Sequence, residues 1–79
     1  MNQPKTYSLN LMTYIILRTD LEPTLGIDEE NGMVYGVFPV CRGVTYAIRD
    51  FRQDKCKVNI HSFLMVYKQL REKIRLMRG

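Results

Sequence analysis

The sequence predicts an α+β domain of order α-β-β-α-α, and three observations predict it. Apolar residues recur at helical spacing in three stretches, around residues 9–16, 44–51 and 60–77. Two short runs rich in β-branched and aromatic residues flank Asp28-Glu29-Glu30-Asn31-Gly32, a turn signal that predicts a hairpin. Seventy-nine residues suffice for one small domain, and 46% apolar with 25% charged residues places the chain with globular rather than disordered proteins. An isolated two-stranded hairpin is marginal in water, so the simplest architecture lays the helices on one of its faces.

In chain order, residues 1–6 read as a flexible tail. Ser8 can cap a helix running to about Arg18, with Leu9, Met12 and Ile16 on one side and Leu11 and Ile15 on another, so this helix is expected to be well buried. Tyr14 to Leu17 would also suit a strand; the cap and the length of the pattern favour helix. Past Pro23, Thr24–Asp28 alternates as a strand with Leu25 and Ile27 on one face. Asn31-Gly32 is a hairpin signal because both residues tolerate positive φ. Met33–Phe38 is the partner strand, with Val34 and Phe38 on one side, and Pro39 ends it or puts it at an edge. After a connector over Pro39–Gly43, Val44, Ala47, Ile48 and Phe51 mark a short amphipathic helix, and residues 53–57 form a polar link.

The final helix carries the strongest pattern. Asn59 is placed as its N-cap, with Val58 and Phe63 at hydrophobic-staple spacing around it. Ile60, Phe63, Tyr67, Leu70, Ile74 and Met77 predict the core face. At about 100° per residue, Lys68, Arg71, Arg75 and Arg78 line up beside that face as a basic ridge. Arg42, Arg49, Arg52, Lys55 and Lys57 would extend the ridge if the shorter helix and its link lie alongside. The charge is unevenly spread: residues 1–41 hold two cations against five carboxylates, and residues 42–79 hold ten against three. Such polarity steers an anionic partner toward one end of a small molecule, and it also suits a solvated surface that keeps the chain apart from its copies.

In order and in residues the chain resembles a family of small phage and mobile-element domains of unknown function. The matching pieces are Val34-Tyr35-Gly36-Val37-Phe38 in the second strand, and Val58-Asn59 leading into Tyr67-Lys68-Gln69-Leu70-Arg71. The resemblance implies a phage or mobile-element source and carries over no catalytic residue.

Chemistry is sparse. His61 is the only histidine, and Ser62 projects about 100° from it around a helix, so the two form no nucleophile–base pair. Asp28-Glu29-Glu30 does not match the spacing of a calcium loop and reads as a solvated turn. Cys41, Cys56 and His61 lack an obvious fourth metal ligand, and the two cysteines read as reduced thiols. No glycine-rich phosphate loop is present. No catalytic residue, metal or cofactor is therefore expected. The start, M-N-Q-P-K-T-Y-S, lacks a signal-peptide pattern and no apolar run approaches membrane-span length, so a cytoplasmic protein without membrane contact is expected.

What remains is binding. The first expectation is nucleic acid or a nucleoprotein, held through the phosphates by the ridge. The alternative is a protein-interaction module, such as an inhibitor of a host protein. Met65 and Leu76, away from the core face and close to each other around the helix, together with an open hairpin edge make a protein partner or a homodimer plausible.

Overall fold

The Ser8 side-chain oxygen accepts from the Leu11 amide at 3.2 Å and starts the first helix, α1 (Leu9–Thr19). Asp20, in the left-handed region at φ 57°, ends it by donating its amide to the Ile16 carbonyl at 2.8 Å. The structure, a computed structural model, describes residues 3–78. The remaining elements are β1 (Lys5–Thr6), β2 (Thr24–Ile27), β3 (Val34–Val37), α2 (Arg42–Arg52) and α3 (Ile60–Arg78). The fold is α+β with the expected α-β-β-α-α order, preceded by the short β1.

Five consecutive residues of α1, from Met12 to Ile16, are buried, so this helix is covered on every side. It lies between the sheet and the later helices, and α2 and α3 each dock mainly on it. Toward the sheet, Met12 sits over Gly36: a Cβ there would lie 2.5 Å from the Met12 sulfur. Val34, Gly36 and Phe38 form the buried side of β3, in line with its alternation. Val44 and Ala47 bury the inner side of α2, with Ile48 and Phe51 half-buried against the same cluster, as their spacing predicts.

One expectation about the sheet needs correction. The flexible tail expected over residues 1–6 is not loose at Lys5 and Thr6, which pair antiparallel with Val37 and Gly36 of β3. The sheet thus has three strands in the order β1-β3-β2, with the Phe38 amide donating to the Pro4 carbonyl at 2.9 Å. The reason is pairing and side-chain cover: β3 has a second edge to satisfy, and the Lys5 ammonium lies 4.3 Å from the Tyr35 ring centroid. The part of that tail at Met1 and Asn2 lies outside the described residues. The hairpin turn falls over Asp28–Gly32, as expected. Ile27 opposes Val34, the Asp28 amide donates to the Met33 carbonyl, and of the turn residues only Gly32 takes a positive φ, 71°. The Asp28 and Asn31 side chains accept from the amides of Glu30 and Met33, and so organise a loop rather than a tight turn.

Asn59 caps α3 as expected, its side-chain oxygen accepting from the Ser62 amide at 3.1 Å. The expected core face of α3 is only partly right. Leu70 is buried at 2% exposure, and Val66 and Ile74 pack against the core cluster. Ile60, by contrast, is 69% exposed and Met77 is exposed at the far end. Phe63 and Tyr67 are half-buried and lie outside the cluster, stacked on each other at 6.1 Å between centroids and 23° between planes. Tyr67 is turned about 60° from Leu70 around the helix; for Ile60, Phe63 and Met77 the cause is length. A helix of 11 residues spans about 16 Å, and it cannot cover a 19-residue helix of about 28 Å.

Candidate binding surface

The outer side of α3 is set by its docking on α1. With Val66, Leu70 and Ile74 turned inward, the 100° step turns Lys68, Arg71, Arg75 and Arg78 outward, and all four are exposed. They line one open depression together with Glu72 and Ile74. Their surroundings differ. Arg75 donates to both carboxylate oxygens of Glu72, from Nε at 3.0 Å and from Nη2, an i,i+3 pair on the helix surface. The pairing holds the Glu72 carboxyl below the usual carboxylate range and raises the Arg75 guanidinium further. Lys68, Arg71 and Arg78 have no carboxylate within ion-pair distance among the described residues. Lys73, on a different side of α3, reaches Glu22 at 3.6 Å.

The second group of expected cations stands apart from the ridge. Arg49 lies 4.0 Å from Asp50, with its guanidinium 4.7 Å from the centre of the Tyr46 ring. Arg52 borders a hollow shared with β1, Leu11 and Phe38, on the sheet side of α2. Lys55 and Lys57 are exposed on the link. α2, which carries Arg49 and Arg52, docks on α1 rather than on α3. The ridge therefore stands by itself on α3.

The two apolar residues expected at an interface are exposed, Met65 at 51% and Leu76 at 66%. Sequence reasoning missed two more. Ile60, assigned to the core face, and Leu64, at 46% exposure, also point to solvent. Eighteen residues make five helical turns, so Ile60 and Arg78 share one direction, and Leu64, Lys68, Arg71 and Arg75 fall within about 80° of it. The outer stripe of α3 is thus aliphatic in its first two turns and cationic in the last three. The relative lengths of the first and last apolar patterns could have signalled this.

The residues weighed for chemistry do not converge. His61 is exposed on α3, and Cys41 and Cys56 are half-buried free thiols. Among the described residues no group of three His, Cys, Asp or Glu side chains is placed to hold a metal ion. No helix of the described residues is long and apolar enough to cross a membrane. Comparison of the chain with protein-family models, with curated proteins and with solved structures returns no match.

Proposed function

We propose that this chain is a small binding protein without catalytic machinery, and that the outer face of α3 is the surface on which another protein docks. One observation carries the reading: a 19-residue helix with a single fully buried residue, Leu70, leaves Ile60, Leu64, Met65 and Leu76 in solvent. Single exposed apolar residues need no partner, but Ile60 and Leu64 share one stripe with a row of cations, and Met65 and Leu76 lie together on the adjoining side, so the exposed part of α3 is interface-like. A host factor is the partner that a phage or mobile-element source, expected from the sequence, would favour. The test is affinity capture with nuclease-treated extract, comparing the protein with Ile60→Glu/Leu64→Glu and Met65→Glu/Leu76→Glu. The docking reading expects a stable complex that survives nuclease and is lost in at least one variant. Capture that all three forms support equally, or that disappears with nuclease, removes it.

Lys68, Arg71 and Arg78, free of carboxylate partners among the described residues, support a second reading in which the ridge holds nucleic-acid phosphates. It expects DNA or RNA affinity that falls with added salt at a log–log slope of roughly −3. It also expects that affinity to vanish in Lys68→Glu/Arg71→Glu. Aliphatic neighbours rank it second, because a phosphate backbone along the stripe would leave Ile60 and Leu64 unmatched.

A further inference from the structure

We infer that the outer stripe of α3 receives an amphipathic helix of another protein, antiparallel to α3, with carboxylates in its N-terminal half and aliphatic side chains in its C-terminal half. The inference rests on the docking reading above and names the partner's chemistry. Its basis is the division of the stripe along the helix axis. Ile60 and Leu64 are exposed at one end, and Arg71, Arg75 and Arg78 at the other, with Lys68 between. From Ile60 to Arg78 is about 27 Å, the length of a partner helix of about 18 residues.

The same division weighs against the other occupants. A nucleic-acid backbone presents phosphates at regular spacing and would leave Ile60 and Leu64 unmatched. A lipid surface takes helices whose apolar and basic residues are separated around the axis, whereas on this stripe they are separated along it. A second copy of α3 also fits poorly, since residues 60–78 carry Lys68, Arg71, Lys73, Arg75 and Arg78 against Glu72 alone. Parallel copies set cations on cations, and antiparallel copies set Arg71–Arg78 on Ile60 and Leu64. An acidic–aliphatic helix matches both halves at once.

Helix dipoles choose its direction. Carboxylates are stabilised in the first turns of a helix, where the dipole is positive. Antiparallel docking brings such an acidic N-terminus to the C-terminal half of α3, where the cations are. It also sets the two helix dipoles head to tail. The Arg75–Glu72 pair is exposed at both partners, so Arg75 can exchange Glu72 for an incoming carboxylate at little energetic cost. Phe63 and Tyr67, half-buried on the flank of the stripe, would border the aliphatic half of such a groove.

The test uses the whole protein and two synthetic helical peptides of identical composition and about 18 residues. One carries its glutamates in the N-terminal half and its leucines in the C-terminal half, and the other has the halves exchanged. A polyglutamate peptide and a DNA duplex complete the set, with fluorescence anisotropy as the readout. The expected result is that the first peptide binds at least about tenfold more tightly than the second and than polyglutamate. Ile60→Glu/Leu64→Glu and Arg71→Glu/Arg78→Glu should each weaken it by about tenfold, with unchanged circular dichroism. Equal binding of the two peptides, tighter binding of the duplex, or no peptide binding overturns the inference. So does a concentration-dependent dimer by sedimentation that Ile60→Glu abolishes. A protein captured from extract that Ile60→Glu/Leu64→Glu releases and Arg71→Glu/Arg78→Glu does not would keep the docking reading and remove the acidic helix.

Discussion

At the scale of single residues, two tyrosines hold the chain in opposite ways. Tyr14 is buried at 1% exposure, yet among the described residues its hydroxyl makes no hydrogen bond of normal geometry, and the weakly bonding Cys56 thiol lies nearby. Burial raises its phenol above the ordinary range, against the lowering effect of nearby Arg18. A buried hydroxyl left unpaired is destabilising, so Tyr14→Phe is expected to leave stability unchanged or raise it by about 1 kcal/mol in urea denaturation. Tyr7 is exposed and donates to the Asp28 carboxylate at 2.5 Å, fastening the N-terminal strand to the hairpin loop. That hydrogen bond, with help from the Glu30 amide, lowers the Asp28 carboxyl, and it raises the Tyr7 phenol. Asp28 therefore stabilises the fold above its unfolded value near pH 4, and the contribution is lost as pH falls through the depressed folded value. Tyr7 contributes fully below its unfolded value near pH 10 and loses the contribution as pH rises through the raised one. Tyr7→Phe should flatten both limbs of the melting-temperature profile, and unaltered limbs would remove the proposed coupling. The Ser8 and Asn59 caps were legible in the sequence because a cap depends on neighbours a few residues away. The Tyr7–Asp28 and Lys5–Tyr35 contacts were not, because nothing local brings residues 5 and 7 beside residues 28 and 35.

Among the elements, α1 is the one against which the others are fitted. Gly36→Ala would bring a methyl group to 2.5 Å from the Met12 sulfur and 3.1 Å from the Pro23 Cβ, and Met12 is itself fully enclosed. Overpacking of this kind is expected to cost about 1–3 kcal/mol, readable as a lower urea midpoint. Gly26→Ala meets first the Tyr35 ring, on the outer side of the sheet, which can swing toward solvent, and should be milder. Leu70→Ala removes the sole fully buried residue of α3 and is expected to cost about 2–5 kcal/mol. Hydrogen exchange should then rise first in α3 amides; uniform loss of protection across the chain would instead indicate that α3 does not open separately. Helical periodicity located all three helices, since each has an inward stripe. It misassigned Ile60, Phe63 and Met77 because periodicity reports direction around a helix and says nothing of how far along its axis a neighbour extends. It misassigned Tyr67 because the inward direction is centred on Leu70, about 60° away around the helix. The two-residue β1 was illegible for a related reason: a strand so short carries no alternation, and it exists because β3 offers an edge.

For the whole molecule, the accessible surface of 5795 Å² exceeds the roughly 5,000 Å² expected of a compact 9.3 kDa monomer. The dimensions of 34 × 33 × 19 Å describe a flat body with α3 docked chiefly on one neighbour. Covering α3 with a partner should therefore raise stability by mass action and slow exchange in α3 more than in the sheet. Added salt should slow association more than it speeds dissociation, since the cations act mainly by steering. An association rate indifferent to salt would argue that the ridge plays no part in recognition.

The central position of α1 also governs how the chain is made. Its buried face is finished only when Leu70 arrives from about fifty residues further along, so the decisive contacts are distant in sequence and slow to close. During synthesis α1 emerges before α3 and waits with Ile16 uncovered until Val66 and Leu70 follow. The nascent chain passes through a stage in which its most apolar helix is open to chaperones and proteases. Cellular abundance of this protein should consequently respond more sharply to changes at Leu70 than to changes at any residue of the hairpin loop.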